Sequence, residues 1–438
     1  MKNIILFITS FLLFTGCHKH EAENLFDALP EERINEKLNE LRSKLLESPS
    51  GWKATLNTGT TTTKGAYNFY INFEDVNNYS IQGDLNETSS TEWQIATYRI
   101  IWAMNASLVF DTFSYLTYLQ EPSSSYGGTA PHGYRSDIEF EYIRSSEDSV
   151  FLKGKKYQHD FLLTKISTSD KQALDNKELK SKIDQVTAFF ANNLNSYFQI
   201  DNSDIKYAVS IDRIGRQIIL NWMENDKVES VISSFAYSLE GIDIFKPINV
   251  KGNIISKIVI NNNNAEAKST SSSFIIKNNP TPILPITSLF GSNAAFNAIV
   301  INGPNMPVGI TSQFNTLWQG QLNLYANNNA TMVSCIFKLN NSTTASLLVR
   351  FNIGGTVYLA QSDYNYTLVE GILKLSAPIS TNGNYNNGWV TTDIKNYFSA
   401  GEFKIDYAVS TNPDVVNIGG LYKVNNPSSF FYGKLEKN

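Results

Sequence analysis

The amino-acid sequence predicts a mainly β protein built of antiparallel, barrel- or sandwich-like segments, with an N-terminal helix and one inter-domain helix. Three observations predict it. From Gly51 onward apolar and polar residues alternate with period two in many short runs, the pattern of strands with one buried face. Aromatic residues make up 12% of the chain, with 22 tyrosines and 26 phenylalanines, the bulky side chains that suit a pleated, half-buried surface. Apolar residues at three- and four-residue steps mark two helices, one before the first strands and one after them. At roughly 150 residues per domain, 438 residues suggest three domains.

The first element is a leader. Met1-Lys2-Asn3 is a short basic start, and an apolar run over 4–14 follows, broken by Thr9 and Ser10. As helix this run rises only about 16 Å, short of the roughly 30 Å hydrocarbon core, so residues 1–16 read as a signal peptide. Leu13-Phe14-Thr15-Gly16-Cys17 resembles a bacterial lipobox, with Phe14 where Leu, Val or Ile is usual. That resemblance makes Cys17 the lipidation site and the mature N-terminus, and the outer membrane the expected location, with the leaflet, and so an outward face, left open. Glu21 and Glu23 resemble the surface-export signal of Bacteroidota lipoproteins, although His18, Lys19 and His20 intervene; a solvated tether accounts for them equally well.

Residues 17–49 then form a lipid tether and a helix. Pro30, Glu31 and Glu32 suit its first turn and Lys44 its last, Ile34, Leu38, Leu41 and Leu45 share a face, and Pro49 stops it. Residues 50–166 carry eight candidate strands, at 52–57, 67–74, 78–84, 96–104, 108–119, 137–143, 150–155 and 158–166, which suggest a small antiparallel barrel or a strongly curved sheet. Residues 167–260 hold a helix capped by Ser169 or Asp170, with Leu179, Ile183, Val186, Phe190, Leu194 and Tyr197 in step, and then a second β segment. Four consecutive asparagines, a Ser/Thr run, Pro280, Pro282 and Pro285 make 261–285 the expected linker. Residues 286–438 form a strand-rich C-terminal domain. Two echoes run through the chain: 237–248 is similar to 366–379, and 137–155 to 402–420. Internal duplication explains them, and so does the common grammar of similar sheets.

Composition excludes several chemistries. The net charge of −5 offers no counterion release to a nucleic acid. Two cysteines rule out a disulfide-dense scaffold and a tetrathiolate zinc site, and Cys335, in an apolar strand-like run, reads as a buried small hydrophobe. With His18 and His20 in the tether, only His132 and His159 remain, and no His-x-x-x-His pair or Gly-x-Ser-x-Gly elbow occurs. No cofactor and no metal site is expected. Asp137, Glu139 and Glu141 alternate along one strand face, opposite Lys153 and Lys155 in any even register. A solvated salt ladder explains this row better than paired catalytic carboxylates do. The glycine-rich stretch 123–133 is a mobile loop or a binding lip. Trp93, Tyr98, Trp102, Phe110, Phe113, Tyr115 and Tyr118 read chiefly as barrel filling. The candidate ligand contacts are Trp93, Tyr126 and His132.

Several pieces then line up: the 33–46 helix, Gly51-Trp52-Lys53, Tyr67-Asn68-Phe69-Tyr70, Leu108-Val109-Phe110-Asp111-Thr112-Phe113, Ser136-Asp137-Ile138-Glu139-Phe140 and Phe151-Leu152-Lys153-Gly154-Lys155-Lys156. Over about residues 17–250 the chain resembles the Bacteroidota lipoprotein family catalogued as domain of unknown function 4302. That resemblance implies an accessory lipoprotein of a nutrient-uptake system, with a SusC/SusD-like transporter as partner, and carries over no catalytic residue. The expected function is a lipid-anchored surface binding protein for peptide or glycan cargo and not an enzyme; a carboxylate-dependent hydrolase and a structural or adhesive lipoprotein are the alternatives.

Overall fold

A computed structural model describes residues 29–59, 64–74, 77–123, 128–201, 203–399 and 401–438. The leader, Cys17 and Tyr126 lie outside the described residues. Two compact units divide the chain, Met1–Thr62 with Tyr67–Glu178, and Thr63–Ala66 with Leu179–Asn438.

Helix α1 (Pro30–Leu46) forms where the apolar stripe predicts it, with Glu31 and Glu32 in its first turn and Lys44 in its last. Leu41 and Leu45 are fully buried, and the Trp52 indole donates to the Leu45 carbonyl at 2.8 Å. Hydrogen bonds from Lys165 (2.6 Å) and Lys44 (2.7 Å) pull the Glu47 carboxyl down to about 2 and pin the helix end to the barrel.

The barrel is β1 to β8: Trp52–Gly59, Lys64–Phe73, Asn78–Gly83, Gln94–Ala103, Asn105–Phe110, Glu139–Ser145, Ser149–Gly154 and Asp160–Lys165. Each strand pairs with the next, and β1 returns to β8 from Trp52↔Lys165 to Leu56↔Phe161. Eight strands leave an interior just wide enough for side chains to fill. Here Phe69, Tyr79, Phe110, Phe140 and Phe161 fill it, with the last two rings stacked at 4.3 Å. The strand expected over 108–119 stops at Phe110. Thr117 accepts from the Ser114 amide and Gln94 accepts from the Tyr115 amide, so the chain turns and drives Tyr115, Leu116 and Leu119 into the open barrel end.

The single helix expected after this barrel is two. Ser167 caps α2 (Thr168–Asp175), with Asp170 completing the box in place of acting as the cap. Lys177, at φ 63°, breaks the chain before α3 (Glu178–Asn192), and Tyr197 belongs to the following strand. The second barrel runs β9 to β16: Ser196–Gln199, Lys206–Asp212, Gln217–Glu224, Lys227–Ser238, Gly241–Val250, Asn253–Asn261, Asn264–Ser269 and Ser273–Asn278. It closes through β9, where Tyr197 pairs with both Ala208 and Lys277.

The expected linker 261–285 is therefore corrected: it supplies the last two strands. The asparagine quartet is the β14–β15 hairpin turn (Asn261↔Asn264), and the serine run is the next turn. Only 279–285 connects the barrels, and it is held: Tyr407 donates to the Leu284 carbonyl at 2.8 Å and Asn195 to the Asn279 carbonyl at 3.0 Å.

The third barrel is also eight-stranded. After the short α4 (Ile286–Leu289) come β17 (Ala298–Asn302), α5 (Phe314–Asn327), β18 to β21 (Ala330–Leu339, Thr344–Ile353, Thr356–Val369, Ile372–Thr381), α6 (Gly383–Asn386), α7 (Gly388–Phe398) and β22 to β24 (Glu402–Tyr407, Ile418–Lys423, Asn426–Glu436). Helices α5 and α7 were not expected in this strand-rich stretch. They pack on each other and put Phe314, Tyr325, Ile394, Tyr397 and Phe398 into the core with fully buried Cys335. Both sequence echoes fall on equivalent strands. Residues 137–155 and 402–420 cover the sixth and seventh strands of barrels one and three, and 237–248 and 366–379 the fourth and fifth of barrels two and three.

Burial pushes the Tyr79 and Tyr422 hydroxyls up to about 12, and those of Tyr325, Tyr364, Tyr397 and Tyr407 upward too. A raised folded value means stability is full below about pH 10, where unfolded tyrosine titrates, and falls as pH rises toward 12. Alkaline titration should show part of the tyrosinate absorbance at 295 nm withheld until far-ultraviolet circular dichroism is lost; complete ionisation of all 22 tyrosines with the fold intact would refute the buried hydroxyls. In the third barrel the Tyr397 hydroxyl bonds the Leu421 and Ser429 carbonyls and accepts from the Phe431 amide. Tyr397→Phe should cost about 1–3 kcal/mol in denaturant unfolding, because buried partners are left unmade.

Candidate functional site

Closed, filled barrels leave their rims to do any binding, so the candidate sites are clefts beside helices and turns. One cleft, of about 520 Å³, lies in the second barrel between α3 and the β14–β15 turn. Gln185, Phe189 and Asn192 line it from one face of the helix, Asn193 from just past its end, and Asn262 and Asn263 from the turn. The Lys182 ammonium donates to the Ile260 carbonyl at 2.6 Å, tying the helix to the strand that leads into the turn. Asn262 holds the turn in left-handed backbone (φ 55°), a conformation asparagine tolerates better than most residues. Asn193 is spent on the Phe189 carbonyl at 2.8 Å. The lining carries no charge: amides that donate and accept stand around an aromatic edge. Sequence reasoning missed this site because the Asn quartet looked like a linker; the i, i+4, i+7, i+8 run from Gln185 to Asn193 was its one readable signal.

Two clefts belong to the third barrel. One of about 440 Å³ lies between residues 304–310 and α5, where the Trp318 indole donates to the Pro304 carbonyl at 2.7 Å. The other, about 220 Å³, is lined by Ile286, Phe290, Leu368 and Ile405 with Glu370 among them. Among the described residues no group of three or more His, Cys, Asp or Glu is placed to hold a metal ion.

The residues singled out from sequence are not gathered into one site. Trp93 is a clamp: its indole donates to Asp175 at 2.8 Å while the Lys171 ammonium sits 4.5 Å from its ring centroid. Burial raises the Asp175 carboxyl, but hydrogen bonds from Lys171 and Trp93 outweigh it and hold the group below its ordinary value. His132 is exposed in the loop between β5 and β6, at the same barrel end as Trp93. Of the aromatic cluster, Tyr98, Phe110 and Tyr115 are core, whereas Trp102 is 41% and Phe113 50% exposed.

The carboxylate row splits as well. The even register holds, with Glu141 opposite Lys153, but the row is not a salt ladder. Glu141 accepts from Asn105 at 3.1 Å and Lys155 donates to the Ala103 carbonyl at 3.0 Å. Asp137 is 2% exposed and accepts from the Lys156 and Tyr157 amides at 2.7 and 3.1 Å, so it shapes the β7–β8 turn. Gly154 makes room for it, since a Cβ there would stand 2.1 Å from its carboxylate. None of these carboxylates lines any of the three clefts. Asp137→Ala should therefore lower unfolding stability by about 1–3 kcal/mol by taking a shared acceptor from two part-buried amides. Exposed Glu139→Ala should change it by under about 0.5 kcal/mol, and equal effects would contradict this division.

A family model described as a domain of unknown function (DUF4302) matches residues 22–262, more than half of the chain. A comparison with curated proteins finds no match. Among solved structures, the chain is similar to a DnaN sliding clamp (DNA polymerase III subunit beta) from Bartonella birtlesii bound to griselimycin, at 12% identity over 93% of this chain and 98% of that one, with a TM-score of 0.14. It is similar also to isotype 1 transferrin binding protein B from serogroup B Neisseria meningitidis, at 9% identity over 88% of this chain and 76% of that one, with a TM-score of 0.12. At these scores neither likeness bears on fold or function.

Proposed function

We propose a function for a chain that belongs to the domain of unknown function 4302 family: a lipid-anchored accessory binding protein of an outer-membrane nutrient-uptake system. The observation that carries the binding part is the uncharged amide cleft of the second barrel beside interiors already filled with side chains. Neutral amides pair with ligand groups that both donate and accept, which sugar hydroxyls do, and a space of this size holds one or two sugar rings. Glycan is therefore the favoured cargo and peptide the second. The anchor rests on the Leu13–Cys17 pattern, and the transporter partnership on the family resemblance. A carboxylate hydrolase fits less well, because Asp137 is locked in a turn and Glu139 and Glu141 line none of the three clefts described.

Glycan and peptide arrays probed with the full chain should show binding of neutral glycans without turnover. The double variant Asn192→Ala/Asn262→Ala should weaken that binding by about tenfold or more, as loss of two hydrogen bonds implies. Turnover abolished by Glu139→Gln or Glu141→Gln would replace the binding reading with the hydrolase. Cys17→Ser should abolish metabolic labelling with a fatty-acid probe; retained labelling would remove the anchor. Affinity purification from detergent-solubilised membranes tests the transporter partnership directly.

A further inference from the structure

The first barrel carries an exposed apolar tip that its own core does not use. Met104, at the β4–β5 turn, is 98% exposed and held in left-handed backbone at φ 67°, a conformation unusual for a bulky side chain. Trp102 beside it is 41% exposed, and Ile143, next to the Tyr142 carbonyl that Asn105 of the same turn bonds, is 52% exposed. Lys155 fixes the tip by donating to the Ala103 carbonyl at 3.0 Å.

Helix α1 locates this tip relative to the N-terminus. Glu47 at its C-terminal end pairs with Lys165 of β8, and Glu40 accepts from Tyr142 of β6 at 2.6 Å. The helix also packs against β5 and β4. Those strands succeed one another around the barrel, so α1 crosses this mouth toward β4 and β5, the two strands that the tip joins. Leu29, just ahead of that turn, is 55% exposed. Twelve residue steps separate Leu29 from Cys17, a span of at most about 40 Å.

We infer that this end of the first barrel rests in the lipid–water interface, with Trp102, Met104 and Ile143 as its contact. The inference rests on the proposed anchor at Cys17, which brings the bilayer within reach of α1. Tryptophan and flexible apolar side chains favour that interface, and a second, non-covalent contact orients a protein that a lipid tether alone leaves free to swing. The occupant is lipid, because the proposed acylated cysteine lies only twelve steps ahead of a helix that packs on the two strands of this tip.

The test uses the full lipidated chain in vesicles of phosphatidylethanolamine and phosphatidylglycerol, with an environment-sensitive fluorophore on Met104→Cys. Cys335 is fully buried and does not compete for label. Thr129→Cys, in the exposed β5–β6 loop at the opposite barrel end, is the reference. Flotation of the vesicles first reads the anchor. With the protein floated, the label at 104 should shift blue and lose fluorescence to doxyl-labelled lipids, while the label at 129 stays water-like. A water-like label at 104 on floated protein overturns the membrane contact and leaves the anchor standing. A blue shift at 104 without doxyl quenching assigns the tip to a protein partner and equally overturns it. Failure to float overturns the anchor, and this inference with it.

Discussion

Ring closure is the constraint on which the rest of this structure depends. A β-sheet that closes on itself has no edge to protect, but the inner face of eight strands must then be filled and both open ends covered. The chain solves this three times with the same means. Aromatic and branched side chains fill the middle, and an amphipathic segment stops an end. In the first barrel α1 covers one mouth and the Ser114–Leu119 turn the other. In the second, Val186 and Phe189 of α3 enter the core. In the third, α5 and α7 supply a large share of the core themselves.

Filling has a chemical consequence. Cys335 and six tyrosines with raised hydroxyl values are held in apolar surroundings, where their neutral forms are favoured and their reactivity is suppressed. In the proposed reading, binding is displaced outward, to places where a stopper helix meets a turn. The amide cleft between α3 and the asparagine turn is such a place, and the Trp102–Met104 tip beside α1 is another. Both exist because the barrel needed a helix at its mouth, so stability and recognition share the same elements without sharing the same side chains.

Much of the fold was legible because period-two alternation reports one buried face directly. Seven of the eight strands of the first barrel stand close to where the pattern places them, and α1 is framed by its own proline, acids and lysine. The failures are equally physical. Leu108 to Leu119 alternates well enough to be a strand, but Thr117 and Gln94 capture the backbone amides and turn it inward. In β15 the inward residues are Ala265 and Ala267, too small to stand out among asparagine and serine, so strand read as linker. Helices α5 and α7 are apolar and aromatic on broad faces because they lie inside a barrel, which blurs the stripe that marks a surface helix. The two echoes are clearer in hindsight of topology: they align fourth with fourth and fifth strand, sixth with sixth and seventh.

The site was less legible. Asp137, Glu139 and Glu141 are equivalent in sequence, and only the β7–β8 turn, folding back over Gly154, makes one of them a buried acceptor. Trp93 looked like a ligand platform until α2 brought Lys171 and Asp175 onto it. By itself the sequence determined the class of the protein: antiparallel strands, an N-terminal helix, a single buried thiol, and the pattern around Cys17, since all of these are set by local periodicity and local chemistry. Only the tertiary structure decided that the strands close into three rings, that an apparent linker completes the second, and which polar groups face a cleft. Closure and cleft geometry depend on contacts between residues far apart in the chain, and local patterns carry no record of those.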